Sequence, residues 1–141
     1  MSLPSDFHFS QGSLQDFVDC PRRFQLRFLD RIAWPAVQAE PILENEHHMQ
    51  QGDLFHLLVQ QHLVGVPVER LTAMAQGDPD LAAWWQAYLL TAPADLAGLR
   101  FPEVTLSAPL GASGERRLVA KYDLVVLAPD GRAVIFDWKT S

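Results

Sequence analysis

The chain changes from helical to strand periodicity near residue 93. Before that point apolar residues recur three and four positions apart, as Leu14, Phe17 and Val18 do, and this spacing places them on one face of a helix. After it, β-branched and aromatic residues fill short runs bounded by turn residues, which is the pattern of strands. The sequence therefore predicts a mainly helical region over 10–92 and a β-rich region over 99–139.

Caps and helix breakers divide the helical region into segments. Ser10 and Ser13 are candidate N-caps of the first helix. Pro21 either starts a second helix after Cys20 or kinks a single one, and residues 32–43, with two prolines, predict a loop. The later predicted helices are about Glu44–Leu63, ended by Gly65 and Pro67, then Val68–Ala75, then Pro79–Leu90 with Asp78 as its N-cap.

Two of these helices carry the candidates for the core. The predicted buried stripe of the Glu44–Leu63 helix consists of Leu54, Phe55, Leu58, Val59 and His62 or Leu63. The aromatic residues of the next long helix are predicted to be core rather than a binding platform: Trp84, Trp85 and Tyr88.

Three runs in the β-rich region predict an antiparallel meander: Phe101–Leu106, Arg117–Leu127 and Ala133–Lys139. Helices followed by such a meander indicate an α+β domain or the first half of an α/β domain.

The turn between the last two strands predicts their register. Pro129-Asp130-Gly131 suits a three-residue hairpin loop with the glycine in the left-handed conformation. If the residues that flank the loop close it, Asp123 lies directly opposite Asp137 and Lys121 opposite Lys139. A two-residue loop would instead put the two carboxylates on opposite faces of the hairpin.

Two facing carboxylates predict a cation between them. Like charges opposite each other destabilise a strand pair, and the rest of the hairpin is apolar on both faces, which predicts burial on both sides. Carboxylate oxygens in such a place suit Mg²⁺ or Mn²⁺. Alternatively, Lys121 and Lys139 neutralise the acids at a solvated strand end.

Further candidate ligands lie upstream. Gly52, His56 and Gln60 share one helix face, and the glycine leaves room beside the imidazole. His56 is either a metal ligand or an ordinary packed histidine, and Glu103 either reaches the same site or faces solvent. Two other histidines are predicted to be surface residues: His47 and His48.

Composition sets the broad class. The 141 residues are 48% hydrophobic and 20% charged, which predicts one domain with its own core and excludes a disordered chain. No apolar run approaches the roughly 18–20 residues of a membrane span, and no secretory signal is visible. Cys20 is the only cysteine, so no internal disulfide is possible and a cytoplasmic location is expected.

Basic residues are clustered although the formal net charge is −6. The clusters are Arg22, Arg23, Arg27 and Arg31 near the start, and Arg116, Arg117, Lys121, Arg132 and Lys139 near the end. They form either solvated faces or two surfaces that bind a polyanion.

Several of these elements together resemble a known family. A strand, a turn and a strand with Asp123 and then Asp137-Trp138-Lys139 resemble the core of the PD-(D/E)XK nucleases. With Gly52-x-x-x-His56 and Ser13-Leu14-x-x-Phe17-x-x-Cys20-Pro21-Arg22-Arg23-Phe24, the chain resembles the RecB-like exonuclease branch, which includes AddB-type and CRISPR-associated exonucleases. The resemblance covers residues 10–141 and implies a single α/β (α+β) domain over 1–141 with a restriction-endonuclease-like core.

The resemblance implies a role for each matching residue. Asp123 and Asp137 would bind Mg²⁺ or Mn²⁺ together with the carbonyl of Trp138, and His56 would be an additional ligand. Lys139 would orient or activate the attacking water. The residues implied to contact DNA are Arg22, Arg23, Arg27, Arg31, Arg116, Arg117 and Lys121.

The implied function is that of a Mg²⁺-dependent deoxyribonuclease. It would hydrolyse phosphodiester bonds as an exonuclease in DNA repair or recombination, with a helicase subunit or domain as partner. The alternative is a non-catalytic DNA- or partner-binding module of a helicase–nuclease assembly.

The chain departs from the family pattern at three places. Ala120 stands where members often carry glycine. The helix with a Gln-x-x-x-Tyr motif does not follow Lys139, so we expect a truncated domain that lacks the C-terminal layer and self-associates through the uncovered sheet. Cys20 matches the first cysteine of iron–sulfur members but has no cysteine partners, so we expect no cluster and a buried thiol.

Overall fold

The computed structural model describes residues 3–32, 40–93, 97–111 and 114–140. These residues form a mixed α/β fold of five α-helices and a four-stranded sheet. The helices are α1 (Gln11–Asp19), α2 (Pro21–Phe24, continued by the π-helical turn Gln25–Leu29), α3 (Glu40–Leu63), α4 (Val68–Ala75) and α5 (Pro79–Thr91). The strands are β1 (His8–Phe9), β2 (Leu99–Leu110), β3 (Arg116–Leu127) and β4 (Ala133–Phe136).

The sheet is built around β3. Its strand order is β1-β3-β2, and β4 also pairs with β3. The two-residue strand β1 runs parallel to β3, with His8 opposite Arg117 and Phe9 opposite Leu118. The sequence pattern did not predict β1, because a strand of two residues has no periodicity of its own.

The chain divides into two compact units, one within residues 1–36 and 105–121 and the other within 37–104 and 122–141. In the first unit, α1 begins with the capping arrangement that its serines predict. The Ser13 amide donates to Ser10 Oγ at 3.2 Å and the Ser10 amide donates to Ser13 Oγ at 2.9 Å. Pro21 starts a new helix, because Cys20 before it is extended with a φ of −160°.

One expectation for this unit is wrong: the Cys20 thiol is exposed rather than buried. The apolar residues Leu14, Phe17 and Val18 of α1 are 43%, 53% and 75% exposed, while Ser13 and Asp16 are the buried residues of the helix. Cys20 does not share their helix. It lies where α1 ends and α2 begins, and the break in the helix leaves this corner open to solvent.

The second unit holds a hydrophobic core formed by α3, α4 and α5. Its buried members are Phe55, Leu58, Val59, Leu71, Ala75, Leu81, Trp85 and Tyr88. The predicted bounds of α4 are confirmed, and Asp78 caps α5 by accepting from the amides of Asp80 and Leu81 at 2.9 and 3.1 Å. Of the predicted α3 stripe, Leu54 is instead 49% exposed.

Helix α3 begins earlier than the prolines predict. Residues 40–43 are helical rather than part of a loop, whereas residues 33–39 of that predicted loop lie outside the described residues. Pro41 is compatible with this start because it is the second residue of the helix, where a backbone N–H has no intrahelical acceptor. His47 and His48 are exposed, as predicted.

The β3–β4 hairpin has the predicted register. The Ala128 amide donates to the Arg132 carbonyl at 2.8 Å, Gly131 has a φ of 83°, and Leu124 lies opposite Phe136. The strand β4 ends at Phe136, three residues before the predicted end, so the ladder stops one position before the predicted pair of Asp123 with Asp137.

Burial of the hairpin on both sides is confirmed only for part of β3. Leu124, Val125 and Val126 are buried, whereas Val134 and Ile135 of β4 are 39% and 51% exposed. The β4 strand has β3 as its pairing partner among the described strands, and its other edge carries no strand.

None of the helices that the structure describes is long and apolar enough to cross a membrane.

The contact between the half-buried His62 and the buried Tyr88 gives a prediction of how stability depends on pH. Their Nδ1 and Oη atoms are 2.8 Å apart. Burial raises the pKa of Tyr88 to about 12 and lowers the pKa of His62 below its usual 6.5. The folded protein therefore binds the His62 proton less tightly than the unfolded chain does. We expect the free energy of unfolding to fall as pH drops from about 6.5 towards the depressed value in the folded state.

Urea unfolding of the wild type and of His62→Gln between pH 7.5 and 5 measures this contribution. The variant should show a flatter pH dependence over this interval, because only the His62 contribution is removed. Equal slopes in the two proteins would contradict the prediction.

Candidate metal centre

Three potential metal ligands from three different elements converge in the second unit. His56 of α3, Glu103 of β2 and Asp123 of β3 each place one ligand atom within 4.8 Å of the other two. All three residues are half-buried, and His56 Nδ1 lies 3.2 Å from Asp123 Oδ1. Sequence analysis left the place of Glu103 open, and the structure brings it to the other two.

Local structure accounts for the position of each ligand. His56 follows the buried Phe55 on α3, so its ring lies at the margin of the core, with its side chain 30% exposed. Asp123 directly precedes the buried run of β3, and its side chain is 13% exposed. Glu103 follows Pro102 and has a φ of 53°, a conformation that is uncommon for a residue with a side chain and is concentrated at functional sites.

The other predicted site residues lie directly after β4. The Trp138 amide donates to Asp123 Oδ2 at 2.7 Å, which ties this segment to the three-residue cluster. Lys139 Nζ lies 2.7 Å from Asp137 Oδ2, and both side chains are largely exposed. Asp137 is thus paired with Lys139 and is not a member of the cluster. The carboxylate that joins Asp123 in the cluster is that of Glu103.

Aromatic packing supports the Asp137–Lys139 segment. The Trp138 indole packs edge-to-face against the buried Tyr88, with ring centroids 5.4 Å apart, and stacks on Phe136 at 6.0 Å. Packing of the indole against Tyr88 therefore connects the core of the second unit to the Trp138 amide, which donates to Asp123.

Gly52 has a role that differs from the predicted one. It is buried one turn before His56 on α3. A β-carbon built there would lie 3.1 Å from Thr140 Oγ1, so the missing side chain leaves room for the residue after Lys139 rather than for the imidazole. A cleft of about 250 Å³ adjoins this point and is lined by Asn45, His48, Met49, Gly52, Asp53, His56 and Thr140.

The donor set of the cluster fits a divalent ion. Carboxylate oxygens are the usual ligands of Mg²⁺ and Mn²⁺, and an imidazole nitrogen favours Mn²⁺ over Mg²⁺. Ligands bound to one such ion at about 2.1 Å stand about 3 to 4 Å apart, which agrees with the 3.2 Å between His56 and Asp123 and with the 4.8 Å limit for all three. One nitrogen and two carboxylates leave room for further oxygen ligands.

The predicted DNA-contacting arginines of α2 and the turn after it are partly neutralised. The largely buried Asp16 carboxylate binds both Arg23 and Arg27 at 2.9 Å. Arg23 also binds Asp19 at 2.9 Å, and hydrogen bonds from Gln15 and Arg23 lower the pKa of Asp19. These ion pairs keep two of the four guanidinium groups engaged with acids.

The remaining predicted basic residues are at most half-buried. Arg22 donates to the neutral side chain of Gln25 at 2.9 Å, and Arg31 is exposed with a φ of 49°. Arg117 donates to Ser107 Oγ at 2.9 Å, whereas Arg116 and Lys121 are exposed on β3. None of these residues belongs to the ligand cluster.

Comparison with known proteins identifies the family. Residues 8–141 match the family model described as the PD-(D/E)XK nuclease superfamily, and the mixed α/β fold agrees with a restriction-endonuclease-like fold. The chain belongs to the PD-(D/E)XK nuclease superfamily. Searches of curated proteins and of solved structures found no match.

Proposed function

We propose that the protein is a metal-dependent deoxyribonuclease of the RecB-like branch. It would act as an exonuclease in DNA repair or recombination, together with a helicase subunit or domain. The observation that carries the proposal is the cluster of His56, Glu103 and Asp123, to which the Trp138 amide ties the Asp137–Lys139 segment. The superfamily supplies nuclease chemistry with DNA as the substrate class.

The residues that would hold the ion are His56, Asp123, Glu103, Asp137 and the carbonyl of Trp138. A divalent cation bound there supplies a Lewis acid that lowers the pKa of water and offsets the negative charge of the phosphodiester. Asp123 enters this set already oriented, because the Trp138 amide holds one of its oxygens and leaves the other beside His56.

Lys139 supplies the positive charge that an anionic transition state needs. Its ammonium group lies 2.7 Å from Asp137 and is 67% exposed, so rotation of the side chain brings it to a phosphate oxygen or an attacking water. A compact ammonium group near that oxygen stabilises the charge that develops there. Backbone contact of DNA is assigned to the exposed Arg22, Arg31, Arg116 and Lys121, with Arg23, Arg27 and Arg117 as further contacts.

Calorimetric titration of Mn²⁺ and Mg²⁺ into the purified chain tests the proposal. We expect one or two ions to bind, Mn²⁺ more tightly than Mg²⁺ because of the imidazole ligand. Asp123→Asn should weaken binding by at least the about 10- to 100-fold that loss of an outer-shell partner costs. Asp130→Asn is the matched control, since Asp130 is an exposed acid of the β3–β4 loop that pairs with Arg132 at 2.6 Å.

Cleavage assays on the same proteins then define the activity. An exonuclease should degrade linear DNA with free ends and leave circular single-stranded DNA intact. DNA binding without metal binding or cleavage would overturn the proposal and support the alternative, a non-catalytic module of a helicase–nuclease assembly.

A further inference from the structure

None of the described strands pairs with the segment that carries Asp137 and Lys139. β4 ends at Phe136, and residues 137–140 are irregular. Backbone hydrogen bonds of the sheet therefore do not fix this segment, although two proposed site residues lie on it. Other contacts must hold it, because a misplacement of about 1 Å lowers catalytic rates strongly.

One anchor of the segment is Trp138. Its amide donates to Asp123 at 2.7 Å and its indole packs against Tyr88 and Phe136. This anchor precedes Lys139 in the chain, so the part of the segment after Lys139 needs a contact of its own.

The second anchor is the contact of Thr140 with α3. Gly52 is buried inside α3 and lies against Thr140, and a β-carbon at Gly52 would come within 3.1 Å of Thr140 Oγ1. Because Gly52 and His56 are four residues apart, they share one helix face. One face of α3 therefore carries the candidate ligand His56 and also contacts Thr140 at the end of the segment.

Glycine at position 52 is not explained by the helix itself. Glycine in a helix interior is less favourable than alanine, and Gly52 lies well inside the 24-residue α3 with no turn or positive φ that requires it. Gly12 of α1 offers a contrast, since a β-carbon there would meet only Ser10 Oγ at 4.0 Å.

We propose that Gly52 is a positioning residue of the metal centre. Its missing side chain lets Thr140 lie against α3, and this contact, with the Trp138 anchor, holds the segment of Asp137 and Lys139 in the position in which the Trp138 amide reaches Asp123. The proposal rests on the proposed function, which assigns these residues to the site.

Amide hydrogen exchange and Mn²⁺ titration test the proposal on Gly52→Ala and on the double variant Gly52→Ala/Thr140→Ala. A β-carbon 3.1 Å from Thr140 Oγ1 forces a shift of a few tenths of an ångström, so Gly52→Ala should lower the exchange protection of the Trp138 amide and weaken Mn²⁺ binding by up to about tenfold each. The double variant should recover both quantities, because the methyl group that Gly52→Ala adds fills the space that Thr140→Ala vacates, and the segment keeps its contact with α3. Gly12→Ala is the control and should change neither.

The outcomes separate this proposal from the proposed function. Wild-type protection at Trp138 in Gly52→Ala, or a double variant no better than Gly52→Ala, would overturn the positioning role. If Gly52→Ala folds poorly, recovery of the Trp138 protection and of Mn²⁺ binding in the double variant still decides the positioning role. Absence of Mn²⁺ binding by the wild type would overturn the proposed function, while the exchange data would still decide the role of Gly52.

Discussion

Alanine at Asp123 or at Lys139 is expected to lower the rate of DNA cleavage by about 10³-fold. Asp123 combines two tasks, since one oxygen accepts from the Trp138 amide at 2.7 Å and the other lies 3.2 Å from His56. Its loss removes a proposed metal ligand and also the acceptor of the Trp138 amide in the segment with Lys139. Both the metal affinity and the cleavage rate should therefore fall in Asp123→Ala.

Lys139→Ala should separate these two quantities. Lys139 is not one of the proposed ligands, and its removal leaves Asp137 without this ion pair and still able to bind the ion, so Mn²⁺ affinity should not fall while the cleavage rate does. Arginine at this position should restore little activity, because a planar guanidinium group differs in shape and reach from a compact ammonium group.

Single-turnover cleavage of a labelled single-stranded DNA at saturating Mn²⁺ measures both effects. Asp130→Ala is the control acid and should cleave at the wild-type rate, since Asp130 pairs with Arg132 in the hairpin loop. A rate in Asp123→Ala above one tenth of that of Asp130→Ala would remove Asp123 from the site.

The parts of the structure that the sequence predicted well are determined locally. The bounds of α4 follow from a proline before the helix, and the start of α5 follows from a cap that accepts two backbone amides. The hairpin register follows from the turn residues, because Gly131 alone can adopt the positive φ of the loop without strain. In each case neighbouring residues supply the deciding interaction.

The errors concern features that depend on distant residues. β1 exists only because β3 provides its partner, and the exposure of Val134 and Ile135 depends on what covers β4 rather than on their own character. The burial of Cys20 was predicted from its residue type, but its exposure follows from the break between α1 and α2.

In the candidate site, too, local and distant determinants differ. Asp123 and His56 could be proposed as candidate ligands from their spacing and resemblance, whereas the place of Glu103 depends on how β2 lies beside β3. The facing of Asp123 and Asp137 was extrapolated from a correct register beyond the true end of β4. A register fixes which residues pair only while both strands continue.

Alanine at Trp85 is expected to lower the free energy of unfolding by about 3–5 kcal/mol. Trp85 is fully buried, stacks on Tyr88 with ring centroids 5.3 Å apart, and donates its indole N–H to Thr72 Oγ1 at 2.9 Å. Because that hydrogen bond joins α5 to α4, the substitution removes packing and a contact between helices. Domains of this size have total stabilities of only about 5–15 kcal/mol.

Urea unfolding of Trp85→Ala, with Trp84→Ala as the matched control, measures this loss. Trp84 is half-buried at the edge of the same core, so its truncation leaves a smaller cavity and should destabilise less. Thr72→Val isolates the hydrogen bond and should lower the free energy of unfolding by about 1–3 kcal/mol, because the indole N–H stays buried without an acceptor. Equal losses in Trp84→Ala and Trp85→Ala would contradict the assignment of Trp85 to the centre of the core.

The same substitution should also disturb the metal centre from a distance. Tyr88 packs between Trp85 and Trp138, and the Trp138 amide holds Asp123. Trp85→Phe keeps a ring beside Tyr88 and should retain more Mn²⁺ affinity than Trp85→Ala under conditions where both variants are folded. Equal Mn²⁺ affinities in the two variants would show that packing of the core against Trp138 does not affect the proposed metal ligands.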